Sequence, residues 1–109
     1  MTVKELAEKL QLKTVCMPDP DREVLGGYAG DLLSWVMGRA KADDVWLTVM
    51  GNINAIAVAA LADVSAIVLV ESAVLDSEAL ARANQQEIAV YSTDVPAYET
   101  ALKVAQTLE

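Results

Sequence analysis

Four short stretches hold the residues able to contact a ligand. Three of them, Gly51-Asn52-Ile53-Asn54, Glu71-Ser72 and Ser92-Thr93-Asp94, each follow an apolar run. Beyond the C-terminal end of a strand, such residues sit where a following helix presents unpaired N–H groups, which is where open parallel sheets bind their ligands. Asn and Asp at these places also serve simply as helix N-caps. The fourth stretch, Gly26-Gly27-Tyr28-Ala29-Gly30, lets main chain approach a ligand closely because glycine has no side chain. It is not a dinucleotide loop after a strand, and no Gly-Lys-Ser/Thr follows it, so it carries no phosphate-loop signature. With the flanking Arg22 and Asp31, the candidate ligand-binding residues are Arg22, Gly26, Gly27, Asp31, Asn52, Asn54 and Thr93.

Catalytic chemistry finds little support. The 109-residue chain has no histidine and a single cysteine, Cys16, which leaves no His-based general acid–base pair, no His/Cys zinc site and no disulfide within the chain. Cys16 lies in an apolar run, where a thiol is usually inert, and nothing beside it would activate it. Asp19, Asp21 and Glu23 alternate, yet they lack the glycine and distal glutamate of a calcium loop and read as solvated surface charge. No catalytic and no metal-binding residue is assigned. The charge balance, 8 basic against 16 acidic residues for a net charge of −8, disfavours a nucleic-acid backbone or an anionic membrane as partner.

The elements that must position these residues follow from patterning. Thr2-Val3-Lys4-Glu5 has the form of a capping box and opens a helix with Val3, Leu6, Ala7 and Leu10 on its apolar face. Lys13–Met17 reads as a strand, ended by Pro18-Asp19-Pro20, and a loop runs on through Gly30. Asp31 is placed as N-cap of a helix from Leu32 to about Ala40, with Leu32, Leu33, Val36 and Met37 inward. Trp35 then lies toward the helix edge and, with Tyr28, is a candidate interface residue. The uncharged run from Val45 to Ala62 splits at Gly51-Asn52 into a β-branched strand, Val45–Met50, and an Ala-rich helix to about Leu61, and is therefore not a membrane span. That helix suits close packing on the sheet or on a second subunit.

Strand Ala66–Val70, a helix from about Ser77 to Gln85 capped by Asp76, strand Ile88–Tyr91 and a helix from about Val95 to Leu108 capped by Asp94 complete the chain. The apolar strands are continuous rather than alternating, as strands covered on both faces require. The expected fold is α/β: a three-layer α/β/α sandwich with a small, mainly parallel sheet of about four strands, in one domain spanning residues 1–109. The charged N-terminus without an apolar core segment and the lone thiol point to the cytoplasm.

At Asp21-Arg22-Glu23-Val24-Leu25-Gly26-Gly27 the sequence resembles the DRTGG domain family. Tyr28-Ala29-Gly30-Asp31-Leu32-Leu33-Ser34, Asn52 to Ala59 and Tyr91-Ser92-Thr93-Asp94 continue the likeness over essentially the whole chain. Leu25 stands where the motif has its threonine, so a hydroxyl of the family pattern is missing. The resemblance implies a small α/β/α sandwich similar to the N-terminal domain of HPr kinase/phosphorylase. Such domains occur alone or fused to phosphate acetyltransferases and to CBS-containing pyrophosphatases, whose regulatory regions bind adenine nucleotides. It further implies a non-catalytic regulatory or assembly role with dimer contacts. The expectation is a homodimer that senses a small ligand or docks a partner protein, with no resident cofactor. An adenine-nucleotide-binding domain is the alternative, and an enzyme of unknown type a further one.

Overall fold

The computed structural model describes residues 1–109. In chain order the elements are α1 (Val3–Leu10), β1 (Lys13–Cys16), β2 (Gly26–Ala29), α2 (Leu33–Arg39), β3 (Asp44–Thr48), α3 (Ile53–Ala62), β4 (Ala66–Leu69), α4 (Ser77–Gln86), β5 (Val90–Ser92) and α5 (Ala97–Leu108). One five-stranded sheet has the order β1-β5-β4-β3-β2. β2 to β5 run parallel, and β1 closes one edge antiparallel to β5, with an irregularity between Thr14 and Cys16.

Period-two alternation along the strands sorts the core into two layers. Trp46, Ile67, Leu69 and Val90 face a cluster built with Val36 of α2, Ile56 and Ala59 of α3 and Ala79 and Ala83 of α4. Val45, Leu47, Val68 and Tyr91 face the other way, against Val3 and Leu6 of α1 and Val104 of α5. The expected sandwich is thus present, with three helices on one face and two on the other. No helix is long and apolar enough to cross a membrane.

Local chemistry explains most element boundaries. The capping box at α1 forms in full, the Thr2 hydroxyl accepting from the Glu5 N–H and the Glu5 carboxylate from the Thr2 N–H. Asn52 and Asp76 cap α3 and α4 through their side-chain oxygens. Three helices end on left-handed non-glycine residues, Gln11, Asp63 and Glu87.

Several expectations are corrected. The Gly26–Ala29 stretch is not a loop but a fifth, edge strand, paired with β3 in register Gly26↔Asp44 to Ala29↔Leu47. Parallel pairing with a hydrophobic neighbour stabilises it despite the poor intrinsic strand propensity of glycine. No glycine in the chain has positive φ, so these glycines serve close approach rather than a turn. A Cβ at Gly26 would lie 2.8 Å from Asp44 Oδ1. α2 begins at Leu33 with Leu32 as N-cap and no side-chain cap, because the Asp31 carboxylate is engaged elsewhere. Of the residues expected inward on α2, Val36 is buried and Leu33 partly so, while Leu32 and Met37 are exposed. α5 starts at Ala97 after Pro96 rather than at Val95, and Asp94 accepts a hydrogen bond from the Ser72 hydroxyl instead of capping the helix.

Candidate functional site

The C-terminal ends of the parallel strands form one rim, and it gathers Asp31, Asn52, Asn54 and Thr93. Asp31 Oδ1 accepts from the Thr48 hydroxyl at 2.7 Å and from the Val49 N–H at 3.0 Å, tying the exit of β2 to the end of β3. Asn52 Oδ1 accepts from the Ala55 N–H at 3.0 Å. Asn54 is exposed on the first turn of α3. Thr93 accepts from the Val95 N–H through its hydroxyl and borders a recess of about 250 Å³ with Gln11, Lys13, Ser92, Asp94 and Val95. The antiparallel direction of β1 brings Lys13 opposite Ser92, a placement that strand patterning by itself did not reveal.

This rim is poorly built for an anion. The N-termini of α3 and α4 hold the Asn52 and Asp76 side chains, and the Ala97 N–H at the start of α5 donates to Glu71. Each of these contacts occupies one N–H of a helix's first turn and sets a side-chain oxygen where an anion would approach. Asp31, Glu71, Asp76 and Asp94 add negative charge, against Lys13 and against Lys103 of α5, which lines a second recess with Thr93 and Val95.

Arg22 and Gly26 lie at the opposite end, where the parallel strands begin. The Arg22 guanidinium donates to Asp43 Oδ1 at 3.1 Å, Asp63 Oδ1 at 3.0 Å and the Asp63 carbonyl at 2.7 Å. Burial works against its charged form, but the hydrogen bonds and charges of Asp63 and Asp43 outweigh it, and the pKa is raised. Both aspartates adopt positive φ. The neighbouring Glu23 pairs with the N-terminal ammonium at 3.0 Å, and its carbonyl accepts from the Ser65 hydroxyl. Arg22 is thus a clamp between the segment before β2 and the turns before β3 and β4, not a free phosphate ligand. Asp19, Asp21 and Glu23 do not converge, and no group of three acidic or thiol side chains is arranged to hold a metal ion.

The largest concavity lies where neither loop nor cap suggested one. An open groove of about 360 Å³ runs between β2 and α5. Gly27 and Ala29 border it on one side and Ala101, Ala105 and Leu108 on the other. The buried Leu47 and Val104 lie beneath, and Leu25, Gly26, Tyr28 and Glu109 complete the lining. It exists because α5 covers β3 and part of β2, and because glycine at 27 leaves unfilled the space a side chain would take beside Val104. Its size falls within the range of ordinary ligand pockets, roughly 300–1,000 Å³. On the other sheet face Tyr28 packs against the core, whereas Trp35 is half exposed on α2 with the Arg39 guanidinium 3.8 Å above its ring.

No family model matches this sequence, and no curated protein does. Among solved structures the chain is similar in fold to part of a crystal structure of the CBS and DRTGG domains of the regulatory region of Clostridium perfringens pyrophosphatase, complexed with the activator diadenosine tetraphosphate. The match has a TM-score of 0.74 at 13% identity and covers 98% of this chain and 47% of that one. The chain is a DRTGG-like α/β domain in fold, as the resemblance at Asp21–Ser34 implied, and it spans about half the length of the regulatory region it matches.

Proposed function

We propose that this chain is a non-catalytic regulatory or assembly module that acts by binding and works as a homodimer in the cytoplasm. The observation that carries the reading is the likeness in fold, over nearly the whole chain, to a regulatory region rather than to a catalytic domain. The residue content supports it, since no histidine is present and the one thiol is buried. The single free thiol also suits a reducing compartment. For the dimer we favour the outer face of α2 and α3. There Leu32, Trp35, Met37 and Leu61 are exposed, with Leu61 at 72%, and Trp35 has the size and rigidity of an interface anchor. The net charge of −8 argues against nucleic acid or anionic lipid as partner.

Sedimentation velocity at micromolar concentration tests this reading. A dimer is expected for the native chain, and a monomer with unchanged circular dichroism for Trp35→Glu. A native chain that stays monomeric throughout removes the dimer.

The second reading, adenine-nucleotide binding without a permanently held cofactor, is favoured by the activator in the matching structure. The acidic rim and the committed Arg22 weigh against it. Titration calorimetry with AMP, ADP, ATP and diadenosine tetraphosphate decides: measurable heat with any of them promotes this reading, and none retires it.

A further inference from the structure

The two edges of the sheet differ in how they are finished. An edge strand leaves a row of unpaired backbone donors and acceptors, and proteins blunt such edges with lysine, proline or bulges. β1 carries all three devices: Lys13 at its start, the irregularity between Thr14 and Cys16, and Pro18 just after it. β2, Gly26-Gly27-Tyr28-Ala29, carries none, and it has a neighbour on one side only. Gly27 and Ala29 are exposed, and the apolar groove runs directly alongside, so an added strand would find a hydrogen-bonding edge and a place for its apolar side chains together.

Charge selects the occupant. Glu109 lines the groove and the exposed Asp31 follows the strand, while Asp44, beside Gly26, is buried. Arg22 at that end is already offset by Asp43 and Asp63, leaving Lys41, whose backbone N–H donates to Asp44, as the other cation there. Lys103 of α5 borders a different recess, beside Leu10 and Leu12. The exposed Glu109 and Asp31 would attract a basic segment and would repel the same carboxylates on the β2 edge of a second copy laid against it.

We propose that the β2 edge and the β2–α5 groove bind, by strand addition, an extended segment of another protein that carries alternating apolar side chains flanked by lysine or arginine. This surface lies apart from the α2–α3 face argued for the dimer, so the two readings fail separately.

The probes are two synthetic peptides with an alternating Val/Thr centre, one with two lysines at each end and one with two glutamates. They are titrated into 15N-labelled full chain and followed by amide shifts. The lysine-flanked peptide is expected to perturb Gly26–Ala29 and residues 101–108. It should bind roughly tenfold tighter than the glutamate-flanked one in low salt, and the ratio should shrink in about 0.5 M salt as the charges are screened. Ala105→Arg, on an exposed position of α5, should weaken binding at least about tenfold by filling the groove and offsetting the charge of Glu109, while Ala81→Arg, on an exposed position of α4, should leave it unchanged. Equal binding of the two peptides, shifts confined to α2 and α3, or no binding by either overturns the proposal. So does concentration-dependent broadening of the β2 amides without peptide, which would seat a second copy on this edge.

Discussion

Arg22 and Tyr91 show how single residues acquire roles that their type does not announce. Arg22 is the one cation in the motif-like segment, yet its guanidinium is spent on Asp43, Asp63 and a carbonyl. Replacing it with alanine should cost about 1–2 kcal/mol, the range for charge-assisted hydrogen bonds at a site that water still partly screens. Lysine should recover only part of that, since a point charge cannot bridge both aspartates. Urea unfolding measures both; an unchanged midpoint for the alanine variant would contradict the clamp. Tyr91 is 1% exposed and its hydroxyl has no partner in the protein. Tyr91→Phe should therefore be neutral or stabilising by up to about 1 kcal/mol, because it removes a buried polar group rather than a bond. A clear loss of stability would show that the hydroxyl has a partner in solution. Neither role was legible beforehand: Arg22 faces residues far along the chain, and a Tyr at the end of an apolar run gives no sign of where its hydroxyl points.

At the scale of elements, capping was readable and tertiary pairing was not. Thr2, Asn52 and Asp76 cap their helices because the interaction spans only a few residues. Asp31 and Asp94 lie one and two residues before the N-caps Leu32 and Pro96, and their carboxylates bond instead to the Thr48 and Ser72 hydroxyls across the rim. Gly51 is the position where glycine is required by approach: a Cβ there would come 2.0 Å from the Val74 carbonyl oxygen. Gly51→Ala must move the backbone of the loop before α4, and a loss of about 1–3 kcal/mol or more is expected, measured as a lowered denaturation midpoint. Gly38, with open space around it, is the control, and Gly38→Ala in α2 should stabilise by about 0.5–1 kcal/mol through helix propensity. Equal effects at the two positions would dispose of the steric account.

For the molecule as a whole, stability should fall at both ends of the pH scale for different reasons. The Glu5 carboxyl is held below its ordinary range by hydrogen bonds with the Thr2 N–H and hydroxyl. A depressed carboxylate contributes stability that is present above its unfolded pKa and is lost as pH falls through the folded one. Cys16 and Tyr91 are both pushed up by burial, Tyr91 further by the proximity of Cys16. Their contribution is full below the unfolded values and disappears as pH rises through the folded ones. Urea midpoints across pH should show both arms, with Glu5→Gln flattening the acid arm and Cys16→Ala with Tyr91→Phe flattening the alkaline one. An alkaline arm untouched by the double variant would assign it to other groups. Iodoacetamide should label Cys16 slowly until the chain unfolds.

What the residues determined unaided is whatever depends on near neighbours or on composition: the order of helices and most strands, three of the caps, burial of strands on both faces, and the poverty of catalytic side chains. These follow from periodicity and hydrogen bonds closed within a few positions. The tertiary structure alone decided that Gly26–Ala29 is an edge strand, that Arg22 and Gly26 sit at the far end of the sheet from Asn52 and Thr93, and that a groove opens beside α5. Each of these depends on which distant segments meet. A glycine-rich stretch has no side-chain period to announce a strand, so only its pairing with β3 makes it one.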